Sequence, residues 1–200
     1  VRIRLQAGNR PGAEKLVQAN DIFTVSTITT DRNRVETSQP ISNTYLKALG
    51  PVVEGEVRCE VVTKWKQPLE DRRGISSYRC MKLAAQTAPL RIKILDMAGQ
   101  PAPANAPLEI WASDTFLASP SQRDVLDTAV DGYASKRPLQ KYACVVVKFG
   151  ASRLEKFVLP IGRSGDAPWE LRMRMDPKEI AQAEFDQSCE TLVQTTAKAI

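Results

Sequence analysis

Residues 56–65 read EVRCEVVTKW, in which Val57, Cys59, Val61, Thr63 and Trp65 alternate with Glu56, Arg58, Glu60, Val62 and Lys64. A two-residue period puts one side of an extended chain in a core and the other largely in water, the pattern of a half-buried β-strand. It recurs in WELRMRM, where Trp169, Leu171, Met173 and Met175 face one way and Glu170, Arg172 and Arg174 the other. VRIRLQ at the N-terminus, DIFTVSTIT (21–29), SYRCMKLA (77–84), LRIKIL (90–95), LEIWAS (108–113), YACVVVKF (142–149) and KFVLPI (156–161) read as further strands. Turn signals separate them: Gly8 to Gly12, Gly50-Pro51, Arg73-Gly74, Ala98-Gly99, Asp131-Gly132 and Gly162 to Gly165. Many short strands at this spacing predict a mainly β chain, a sandwich or a barrel.

One helix is expected, at the C-terminus. Asp176 precedes Pro177, with Glu179 three residues on: an N-cap, a proline at the first helical position and a capping-box acid. Phe185, Cys189, Leu192 or Val193, Thr196 and Ile200 then recur at helical spacing as an apolar stripe. The ordinary expectation is that this stripe docks on the sheets of its own chain. The alternative is that it meets another subunit or continues beyond Ile200, since no Gly or Asn stop signal precedes the end.

Among 200 residues there is no histidine. That removes Ser-His-Asp and Cys-His pairs, His-based zinc or haem sites, and any side chain with an unperturbed pKa near neutrality. The composition, 42% hydrophobic and 26% charged, suits a globular chain with one sizeable core or two modest ones. The net charge of +5 is unevenly placed. Residues 1–89 carry 14 Lys/Arg against 9 Asp/Glu, whereas residues 177–200 carry 2 against 4. Acids are interspersed with the bases, so a nucleic-acid stripe is not expected. The densest basic stretch, KWKQPLEDRRG (64–74), reads as a solvated hairpin loop after a strand ending in a core tryptophan, Trp65. No apolar run is long enough to cross a bilayer, and the first residues lack the succession of a signal peptide. The chain opens on Val1 in place of Met, as a trimmed, processed or partial chain would. A lost leader therefore stays open.

A family resemblance enters between residues 90 and 161. LRIKILDMAGQPAPANAPLEIWAS, then DTAVDGYASKRPLQKYACVVVKFG, then EKFVLPIG, resembles the carboxypeptidase-regulatory-like, or transthyretin-like, β-sandwich repeat. The shared elements are an Asp-x-x-Gly-x-Pro turn (Asp96, Gly99, Pro101), a following strand (Leu108 to Ala112), a Thr128, Asp131, Gly132, Tyr133 element and a Tyr-led strand (Tyr142 to Val147). Gly99 and Gly132 would permit tight turns at positive φ, and the aspartates before them would hydrogen-bond the turn backbone. The resemblance implies an immunoglobulin-like accessory module, common in secreted or envelope proteins, and not a catalytic domain.

Four cysteines, Cys59, Cys80, Cys144 and Cys189, are compatible with an oxidising compartment without requiring it. If the strands at 56–66 and 73–83 pair across the loop at 67–72, Cys59 and Cys80 come together and could form a cross-strand disulfide; otherwise they are buried free thiols. No CxxC pair supports a zinc or redox site. Asp124, Asp127 and Asp131 supply hard oxygen ligands without EF-hand spacing. Asp96, Glu109, Asp114 and Asp127 are the acids from which a paired-carboxylate hydrolase site would be drawn.

The expected organisation is a β-rich unit over 1–88, a transthyretin-like or immunoglobulin-like sandwich over 89–176, and an amphipathic helix over 177–200, with one larger sandwich as the alternative. The expected function is a non-catalytic structural or protein-interaction module of a secreted, periplasmic or cell-envelope protein, a cytoplasmic location staying open. No cofactor or metal site is expected. A protein partner or a second copy would meet Phe185, Leu192, Val193 and Ile200 of the helix. Carbohydrate binding, which requires an exposed row of aromatics, and a carboxylate-dependent hydrolase are the alternatives.

Overall fold

The computed structural model describes residues 1–6, 12, 15–69, 74–83, 89–104, 106–115, 122–129, 132–135, 139, 141–151, 153–161 and 167–198. It is mainly β, with one C-terminal helix. The turn signals at Gly8, Arg73, Asp131 and Gly162 to Gly165, and Ile200 of the helix stripe, lie outside the described residues.

Five strands, β1 (Arg2–Arg4), β2 (Ile22–Thr30), β3 (Glu36–Ala48), β4 (Glu56–Thr63) and β5 (Ser77–Lys82), form one antiparallel sheet in the order β1-β4-β3-β2-β5. The longest, β3, was not among the expected strands. Its first five residues, ETSQP, are exposed, and Pro40 removes a ladder donor. The sheet accommodates this with an irregularity beside the proline: Ser26 pairs with Pro40 but Thr24 with Tyr45, so Ile41 to Thr44 bulge out opposite Val25. Asn43, at the bulge, has a φ of 55°.

Inserting β2 and β3 overturns the expected pairing of the strands carrying Cys59 and Cys80. β4 pairs with β1 and β3, while β5 pairs only with β2 at the far edge. Both cysteines nevertheless turn toward one core, with Phe23, Val25, Leu46, Ala48, Val57 and Val17. A lone sheet has no facing layer. Here it curls on itself, and Val17 from the segment before β2 and Leu69 from the one after β4 help to cover its concave face.

The remaining strands are β6 (Arg91–Leu95), β7 (Leu108–Ser113), β8 (Asp124–Val125), β9 (Asp127–Ala129), β10 (Gly132–Ala134), β11 (Tyr142–Phe149), β12 (Arg153–Pro160) and β13 (Trp169–Arg172). They make two four-stranded sheets, β13-β6-β10-β9 and β12-β11-β7-β8. Ile92, Ile94 and Leu171 from the first face Ile110, Ala112, Val145, Val147, Phe149 and Phe157 from the second across one shared core. β13 joins β6 in parallel, and its alternation is as read: Leu171 and Met173 are buried, Glu170, Arg172 and Arg174 exposed. The Asp96 turn also has the expected chemistry. Gly99 sits at φ 87°, and the Asp96 carboxylate accepts from the Gln100 amide at 2.8 Å.

The curled sheet and the two-sheet body meet through a third cluster, Ile22, Tyr45, Val62 and Val158, flanked by Leu83 and Tyr142. Each of the first three sits next to a residue turned to the curled core: Phe23, Leu46 and Val61. Adjacent apolar pairs in otherwise alternating strands thus mark where both faces of the sheet are covered. The bulge serves this junction too, because the Asn43 side-chain oxygen accepts from the amide of buried Val158 at 3.0 Å on the edge strand β12. Trp65 is not in a core. It is half exposed, its indole N–H donates to the Ser42 carbonyl at 3.0 Å, and Lys64 lies over its ring.

The helix α1 (Pro177–Lys198) starts where the sequence places it: Asp176 accepts from the Lys178 amide at 2.9 Å, capping the first turn. Ile180 packs on the core of the two-sheet body. Gly150, in the β11–β12 turn at φ 61°, makes room for the Glu179 carboxylate, since a Cβ there would lie 2.6 Å from Glu179 Cδ. Beyond Ala183 every residue through Thr195 is exposed.

Candidate interaction surfaces

The helix stripe does not dock on its own sheets. Phe185, Leu192 and Val193 are 63%, 67% and 68% exposed, and Cys189 is exposed as well. The reason is angular. At about 100° per residue, the half-buried Ile180 and Ala183 lie roughly on the opposite side of the helix from Phe185 and Cys189. Contact with the body through the first turn and a half therefore turns the stripe outward. Phe185, Cys189 and Val193 are spaced i, i+4, i+8, and Asp186 and Glu190, one position on, form a parallel acidic edge beside them.

A second surface was not anticipated. On the outer face of the curled sheet Arg2 is directly opposite Arg58, and Arg4 opposite Glu56. The Glu56 carboxylate serves two arginines, at 3.3 Å from Arg4 and 3.8 Å from Arg2, and Arg58 has no ion-pair partner among the described residues. Like charges directly opposite across a ladder are unfavourable. A tight turn with Glu54 at φ 52° and Gly55 at φ 78° brings Val53 and Glu56 back to back. Leu49, Pro51 and Val53 line an open groove of about 710 Å³ together with the three arginines, Glu54 and Glu56. Leu49 and Val53 are more than half exposed. The sequence signal was present in Arg2 and Arg4 at strand spacing, but only strand pairing brings Arg58 beside them in one patch.

The most enclosed charged group stands at the junction. Asp21, just before β2, is 4% exposed. Its Oδ2 accepts from the Gln18 amide and pairs with Lys82 Nζ, each at 2.7 Å, and its Oδ1 pairs with Lys141 of the two-sheet body. Burial alone would raise its pKa. The Gln18 N–H and the two ammonium groups outweigh that and hold the carboxyl below its ordinary 3.8. This is a buried carboxylate held between two lysines, a clamp between the two units.

All four cysteines are free thiols, Cys59 and Cys80 included. Burial, with a contribution from the nearby Cys80, pushes Cys59 up to about 11. Burial and Asp114 push Cys144 up to about 12. Such thiols stay protonated at neutral pH. Of the acids weighed for hydrolysis, Asp96 is engaged in its turn and Glu109 pairs with Lys148 at 2.9 Å. Asp124 accepts from Ser135 at 3.3 Å, and Asp131 lies outside the described residues. Among the described residues no group of three His, Cys, Asp or Glu is placed to hold a metal, and no helix is long and apolar enough to cross a membrane. Trp111 and Trp169 are half buried and Trp65 is tied to Ser42, so the three do not form an exposed row. No family model, no curated protein and no solved structure matches the chain.

Proposed function

We propose that this chain is a non-catalytic protein-interaction module, its 89–176 body an immunoglobulin-like or transthyretin-like sandwich, belonging to a secreted or cell-envelope protein. The observation that carries the reading is the helix, whose first turn is anchored on the body while Phe185 and Val193 stand in water. Leaving a large apolar side chain exposed forgoes roughly 1.5–3 kcal/mol of burial. Three turns so presented on a capped, rooted helix suit a surface completed by another protein. The Asp96–Gly99–Pro101 turn and the Gly132–Tyr133 strand support the sandwich assignment, and that family's accessory role supports the location.

The test is a photo-crosslinkable residue at position 185, compared with one at position 187 on the opposite side of the helix, in the full chain in its source cells. Protein adducts at 185 and few at 187 support an interaction face. Adducts at neither position overturn the reading.

A further inference from the structure

The stripe on the helix and the groove on the curled sheet are both exposed in the same chain, and their chemistry is complementary. The helix offers an apolar row, Phe185, Cys189 and Val193, beside an acidic edge, Asp186 and Glu190. The groove is lined by Leu49, Pro51 and Val53 and by Arg2, Arg4 and Arg58, three cations against the two carboxylates of Glu54 and Glu56.

Charge is matched at longer range as well. Residues 177–200 carry 2 Lys/Arg against 4 Asp/Glu, and residues 1–89 carry 14 against 9. Opposite net charges on the two approaching parts steer encounter and set orientation. Within the groove, Glu56 is already shared by Arg2 and Arg4, which leaves Arg58, facing Arg2, as the guanidinium that an incoming carboxylate would satisfy.

We propose that these surfaces are the two halves of one contact: the helix of one copy lies in the arginine groove of a second copy, its apolar row on Leu49, Pro51 and Val53 and its acidic edge against Arg58. This rests on the reading of the chain as an interaction module and names its partner. A contact that joins two different patches is heterologous, so a joined pair keeps one free groove on the first copy and one free helix on the second, and the assembly grows head to tail or closes into a ring.

The test is sedimentation velocity of the full chain over a wide concentration range at low and high salt. The expected result is a mass that rises with concentration and falls with salt, because exposed charge pairs are screened. Arg58→Glu should weaken association about tenfold, and so should Asp186→Lys with Glu190→Lys. Mixing the Arg58→Glu chain with the Asp186→Lys/Glu190→Lys chain should restore association, because the native helix of the first fits the native groove of the second and the reversed helix and reversed groove match in charge as well. Thermal melts confirm that the variants, all at exposed positions, remain folded. A chain that stays monomeric throughout overturns the proposal, as does association indifferent to Arg58→Glu, which would mean that helices pair with each other. The two readings separate cleanly: a monomer that still gives protein adducts from position 185 loses only the self-contact, and a monomer with none loses both.

Discussion

Replacing Asp21 by alanine removes one carboxylate that two lysines and a backbone amide converge upon. Each hydrogen bond to a charged group contributes ~1.5–3 kcal/mol, and stripping one partner from a fully buried ion pair costs ~3–5 kcal/mol because a charge is left unpaired. The side chains of Lys82 and Lys141 keep 40% and 28% exposure, so water takes up much of what Asp21 gives up. The expected cost is about 2–3 kcal/mol, or roughly 4–12 °C in Tm for a chain of this size. Thermal melts at neutral pH measure it. The pH dependence gives a second check. Because the folded pKa is depressed below 3.8, the clamp is fully present above that value and is lost as pH falls through the lower folded value. The gap between native chain and variant should therefore be constant near neutrality and close in acid. Since Lys141 belongs to the two-sheet body, a double-mutant cycle with Lys141→Met should give a coupling of about 1 kcal/mol or more. A Tm unmoved by Asp21→Ala at neutral pH, or a gap that persists undiminished in strong acid, refutes the clamp.

Gly132→Ala should destabilise by about 2–4 kcal/mol, since the new Cβ would run into the Ile92 carbonyl at a φ of 133° where L side chains are strained; chemical denaturation reads it. Asn43→Gly should cost ~1–3 kcal/mol by orphaning the buried Val158 amide, and Asn43→Ala about 1 kcal/mol more, because alanine also resists φ 55°; equal melts for the two would contradict the strain. In a thiol-reagent assay Cys189 should react at once and Cys59 and Cys144 only on unfolding, so a rapid titration of all four thiols in the native chain would contradict the burial.

Strand by strand, the sequence spoke clearly wherever one face meets a core and the other meets water. Leu171 and Met173 are buried and Arg172 and Arg174 exposed because that alternation is a property of the strand alone. The Asp176–Pro177 helix start was equally legible, since a cap is made by the side chain and amides of a few consecutive residues. β3 escaped for the converse reason. Its exposed half carries no apolar alternation, and its place in the sheet is held by ladders to β2 and β4.

What tertiary structure alone decided is which elements meet. Inserting β2 and β3 separates Cys59 from Cys80 along the sheet, then curling returns both thiols to one core. Pairing β1 with β4 assembles Arg2, Arg4 and Arg58 into one patch from positions more than fifty residues apart. Asp21 becomes a clamp only because Lys82 and Lys141 arrive from different units. The helix shows the division most plainly: its amphipathic stripe is written in the sequence, but whether that stripe faces core or water depends on which side Ile180 anchors. Periodicity reports that a face is apolar. It carries no information about the partner, because burial is an energy shared between surfaces that the chain brings together only on folding.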